Sequence, residues 1–102
     1  MNTSAPASKE IAMNRNEILD TAKGLINGNR AETHGDAHKM HEVIAGMWSA
    51  ILGFSVSPMR VALMMAALKL ARASQNPDHE DNWVDAAGYI ALAGEMAAET
   101  PE

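Results

Sequence analysis

Three groups of side chains in this 102-residue sequence have types and spacing suited to chemistry. The first is acidic. Glu80, Asp81 and Asp85 stand close together, and the i, i+4 spacing of Asp81 and Asp85 puts both carboxylates on one helix face, near enough to share one divalent cation. Tyr89 continues that face one turn later. Acids at a helix start also complement its dipole without any metal, so both readings stand. The second group is cationic: Lys69 and Arg72 precede the acids by a short loop. In an antiparallel helix pair they approach Asp81 and Asp85. They then either form an ion pair that sets the register, or hold phosphate oxygens while the acids hold a metal.

The third group is His34, His38 and His41, with Asp36 and Glu42. His38 and His41 share a helix face, whereas His34 precedes the expected cap at Asp36. A zinc site needs three or four converging ligands, which this segment alone does not supply. The histidines therefore read as exposed polar residues on a solvent face. Arg30 with Thr33-His34-Gly35-Asp36 is a glycine-containing turn into a helix start, able to take an anion on free backbone amides. The charge of Asp36 opposes an anion there, so a ribose or base contact, or a metal, is an equal reading. Nucleophilic catalysis has little support, because there is no cysteine and the spacing shows no placed Ser-His-acid set.

These residues must be positioned by helices. The 47% hydrophobic content is built from Ala, Met, Leu and Ile, with only 4% aromatics, a mixture that favours helix over sheet. Eight methionines point to an adaptable core or to an apolar surface for a partner. A formal charge of -5 disfavours duplex nucleic acid, which demands clustered Lys and Arg. The N-terminus has no apolar leader, so a cytoplasmic protein is expected.

Residues 1–13 lack periodicity and read as a mobile tail, 14–98 as one helical domain, and 99–102 as a frayed end. Asn14 and Glu17 have capping-box spacing, and Ile18, Leu19, Ala22, Leu25 and Ile26 then recur at helical intervals up to Gly28. Asp36 opens a second helix with an apolar face of Met40, Val43, Ile44, Met47, Trp48, Ile51 and Leu52, ending at Gly53. Ser57 and Pro58 open a third. From 61 to 68 that helix is apolar all round and too short to span a membrane, so it should be central and buried. A last helix starts between Pro77 and Asp81, and its Ala86, Ala87, Gly88, Ala91 and Gly94 allow close approach of a neighbour. The expectation is an all-α, compact four-helix bundle-like domain. Three helices do not fully cover the apolar third one, so a homo-oligomer is expected too.

The runs Arg30-x-x-Thr33-His34-Gly35-Asp36, Ile44-Ala45-x-x-Trp48, Met64-Met65-x-x-Leu68-Lys69-x-Ala71-Arg72 and Asp81-x-x-x-Asp85-x-Ala87-Gly88-Tyr89 resemble a family of small phage and prophage all-α domains of unknown function. The resemblance covers residues 18–97. The run from Glu80 to Tyr89 is also similar to the helical nucleotide-modification-associated domains of phages, and more distantly to MazG-type nucleoside triphosphate pyrophosphohydrolases. That wider likeness implies Mg²⁺ held by carboxylates of adjacent helices and cleavage between the α and β phosphates. The sequence departs from the enzymes' motifs. Its helical Glu-x-x-Asp is Glu17-Ile18-Leu19-Asp20, no Glu-x-x-Glu falls inside an expected helix, and Asp36, Asp81 and Asp85 would have to serve as metal ligands.

Three functions follow for testing. One is a Mg²⁺-dependent nucleotide pyrophosphohydrolase-like enzyme: Asp81, Asp85 and Asp36 bind metal, Lys69 and Arg72 bind phosphate, and Arg30, His34 and Tyr89 shape the pocket. The second is a non-catalytic module that sequesters a nucleotide or a host protein. The third is a structural helical oligomer whose polar cluster is an ion-pair network.

Overall fold

Local signals place the helix ends. Asn14 accepts the Glu17 amide at 2.8 Å while its own amide donates to Glu17 Oε1 at 2.9 Å, a reciprocal cap that opens α1 (Arg15–Gly24). The computed structural model describes residues 12–29 and 36–99. After Gly24 the chain widens into a turn of π-helix, Leu25–Asn29, so the α-helical part ends earlier than the apolar periodicity predicts. Helix α2 (Ala37–Leu52) starts where Asp36 accepts the His38 amide at 2.9 Å, and it ends at Gly53, whose φ of 83° is left-handed. Ser57 caps α3 (Pro58–Gln75), with Pro58 at its start. Helix α4 (Glu80–Glu99) follows a tight connection in which Trp83 Nε1 donates to the Pro77 carbonyl at 2.9 Å. The fold is all-α, with four helices among the described residues.

Helices α3 and α4 form the most extensive contact and run antiparallel through a seam of small residues. Val61, Ala62, Ala66 and Ala73 on α3 and Val84, Ala86, Gly88, Leu92, Ala93 and Met96 on α4 are buried. Side chains this small let the helix axes approach closely. Helix α1 leans on α4, and a Cβ added to Gly88 would stand 3.2 Å from Ile26 Cγ2. Gly88 is thus a true close-approach glycine, whereas a Cβ on Gly94 would meet nothing within 4 Å. Helix α2 leans on the start of α3 through Ala45, Val56 and Val61, with Ile44, Trp48 and Met65 beside them. Ser49 holds that corner by accepting the Val56 amide at 2.8 Å.

Two expectations are corrected here. The third helix is buried on one side only: Leu63, Met64, Leu68 and Leu70 remain exposed, because the seam against α4 uses the alanine face and α2 reaches only the first turns. The apolar stripe of α2 is likewise mostly outward. Met40, Val43, Met47, Ile51 and Leu52 are exposed, Ile51 at 79%, while His41 and Ala45 form the buried side. Among the described residues no helix is long and apolar enough to cross a membrane.

This uneven burial is measurable. Val61→Ala removes two methyl groups from a fully buried site and should lower stability by about 2 kcal/mol in denaturant titration, whereas Ile51→Ala should change it by less than about 0.5 kcal/mol.

Candidate functional site

Narrow packing of α3 on α4 leaves space on the other side of α4. A cavity of about 230 Å³ lies between the end of α1, α2 and α4. Its walls are mainly apolar: Leu25, Ile26, Ile44, Met65, Val84 and Leu92. Three polar residues, His41, Asp85 and Tyr89, also line it. A largely apolar hollow with a few convergent polar groups is the usual form of a small-molecule site.

Each polar group is held by its helix. His41 is only 5% exposed, and its Nδ1 lies 2.7 Å from the Ala37 carbonyl one turn back. A carbonyl only accepts, so Nδ1 carries a hydrogen, and in the neutral imidazole Nε2 then presents a lone pair. That Nε2 is buried without a hydrogen-bond partner among the described residues. Tyr89 meets the His41 ring edge-to-face, with centroids 5.9 Å apart at 62°. Because α2 presents His41 to α4, the solvent-face expectation for this histidine is corrected. Its neighbour His38 is half-buried and turns to Glu95 and Glu99 at the far end of α4.

Asp85 sits where the cavity meets the seam. Lys69 Nζ lies 3.1 Å from Asp85 Oδ2, and each side chain is 21% exposed. The two residues stand equally far either side of Pro77, the register that an antiparallel hairpin dictates. Charge and spacing in the sequence anticipate this pair. The other residues named there do not converge on it. Arg72 is exposed, Asp81 is 82% exposed with its carboxylate 4.0 Å from His79, and Asp36 is spent on capping α2. Arg30 and His34 lie outside the described residues. Among the described residues Asp36, Asp81 and Asp85 therefore do not form a three-carboxylate metal site, and the group whose ligand atoms do converge is His38, Glu95 and Glu99. Sequence reasoning missed His41 as a cavity residue and missed both glutamates. The i, i+4 spacing of Glu95 and Glu99 was the available signal.

Comparison with known proteins agrees with a phage origin for this arrangement of residues. The family model described as a domain of unknown function, DUF6378, matches residues 17–97. The Gene 55 protein of Mycobacterium phage L5 is 46% identical over 80 residues, which is 78% of this chain and 51% of that protein. The Gene 55 protein of Mycobacterium phage D29 is 32% identical over 85 residues, 83% of this chain and 56% of that protein. The chain thus spans about half the length of these relatives. No solved structure matches.

The ion pair yields a test of its own. Lys69→Met leaves the Asp85 charge half-desolvated and should cost about 1–3 kcal/mol, and adding Asp85→Leu should recover most of that loss. Thermal or urea unfolding of the three proteins reads the coupling directly.

Proposed function

From the premise that this chain belongs to the DUF6378 family, we propose that it is a nucleotide-binding helical module with the base held in the cavity between α1, α2 and α4. The observation that carries this reading is the buried His41 Nε2 in an apolar cavity wall, with no hydrogen-bond partner among the described residues. A buried acceptor of this kind costs free energy until a donor reaches it. The amino and imino edges of a nucleobase supply such donors, and a planar ring suits a hollow of about 230 Å³ lined by Ile, Leu, Val and Tyr. Lys69, beside Asp85, and Arg72, one turn further on α3, are the cations that would meet the phosphates.

A second reading adds Mg²⁺-dependent hydrolysis of a nucleoside triphosphate. It is supported by the likeness of the run from Glu80 to Tyr89 to phage nucleotide-modification-associated and MazG-type domains, and by the one-turn spacing of Asp81 and Asp85. Among the described residues Asp36, Asp81 and Asp85 do not converge, and Mg²⁺ held by one or two of them would need the substrate's phosphates to complete its shell, so no step is derived through it.

The two readings separate in one experiment. The protein is mixed with a panel of nucleoside mono- and triphosphates, with and without Mg²⁺, while melting temperature and nucleotide consumption are both recorded. At a hundred times its Kd a bound nucleotide adds about 2.7 kcal/mol, a shift of several degrees in a domain this size. Binding should disappear in His41→Leu and Tyr89→Ala. Consumption of a triphosphate that Asp85→Asn abolishes would establish the enzyme. If no nucleotide alters the melting temperature, both readings fail.

A further inference from the structure

The far end of the bundle holds a second constellation, further along α4 from Asp85. His38 stands in the first turn of α2, and Glu95 and Glu99 lie one turn apart on a single face of α4. His38 Nε2 lies 3.4 Å from Glu95 Oε1 and 3.3 Å from Glu99 Oε1. The imidazole is 35% exposed, yet its Nε2 atom is itself shielded from solvent, and neither carboxylate contact has the geometry of a hydrogen bond. The three ligand atoms all lie within 4.8 Å of one another.

We propose that His38, Glu95 and Glu99 bind one divalent transition-metal ion of the zinc type, which staples the start of α2 to the end of α4. The distances carry this assignment. Zinc bonds nitrogen and carboxylate oxygen at about 2.0–2.2 Å in a tetrahedron, whose edges between ligand atoms are then about 3.3–3.6 Å. Both nitrogen-to-oxygen separations have that length, with a ring nitrogen, a lone-pair donor in neutral imidazole, between two acceptor-only carboxylates. Two carboxylates one turn apart repel each other, and a divalent ion removes that repulsion. A nitrogen ligand among three donors selects zinc-like ions over Mg²⁺, which prefers an octahedron of oxygens. The fourth position is left to water or to Glu42, which lines the same small crevice as His38 and Glu99.

The alternative is a plain ion pair between imidazolium and the two glutamates, and the following measurement separates them. The untagged full chain is stripped with chelator and titrated calorimetrically with zinc chloride alone and with magnesium chloride alone. Cobalt(II) is then added as a spectroscopic substitute. One zinc per chain, no comparable heat from magnesium, and intense visible bands of tetrahedral cobalt are expected. Changing groups that merely orient metal ligands weakens affinity about tenfold to a hundredfold, so Glu95→Gln with Glu99→Gln, which removes two ligands, should weaken it by at least about a hundredfold. Each single variant, at a half-exposed position that the core does not need, should lose about tenfold or more. Absence of zinc binding, equal binding of magnesium, or zinc affinity unchanged in the folded double variant would overturn the assignment.

Discussion

The alanine seam between α3 and α4 is the constraint on which the other elements depend. Ala62, Ala66, Ala73, Ala86 and Ala93 bring two long helices together at close range, and the hairpin at Pro77 sets their direction. Alanines contribute little apolar area each, so the pair gains stability through closeness and length rather than through bulky side chains. Leu92 and Met96 add larger contacts along it, clustered with Ala62 and Ala93. The Lys69–Asp85 pair sits partway along this seam, and any slip in register would separate those charges.

A narrow seam also explains the space beside it. Helices α1 and α2 rest on different partners, α1 on α4 and α2 on the start of α3, so they do not close on each other. Gly88 lets Ile26 approach α4 at one end of the gap. The cavity that remains is lined by side chains from all four helices and is apolar except for His41, Asp85 and Tyr89. The same loose arrangement leaves Met47, Ile51, Leu63, Met64 and Leu68 facing outward. Apolar exposure on this scale commonly marks an interaction surface, and methionine suits one because it adapts to its partner.

How far the site was legible depended on the range of the interactions that build it. Lys69 and Asp85 were readable as partners because a short loop and opposite charges suffice to bring them together. The grouping of Asp36, Asp81 and Asp85 was not realised, since one caps a helix and another points into solvent at the bend. His41 was misassigned for a specific reason. Its neighbours Met40, Val43 and Ile44 define the apolar stripe, yet the helix turned its small side, Ala45 and His41, toward the interior.

Helix type, the capped helix starts, the α2 end at Gly53 and the antiparallel α3–α4 hairpin were determined by the sequence itself, whereas the π-helical turn that ends α1 was not. Caps, Pro58, Gly53 and alternation of apolar positions act through neighbours only a few residues away. Those interactions need no partner element. Which side of an apolar helix is buried was decided only in the tertiary structure. An all-round apolar α3 carries no preferred face of its own, so close approach to α4 selects the alanine side and leaves the leucines out. The cavity around His41 and the meeting of His38 with Glu95 and Glu99 follow from that choice, because both arise from where α2 comes to rest against the α3–α4 pair.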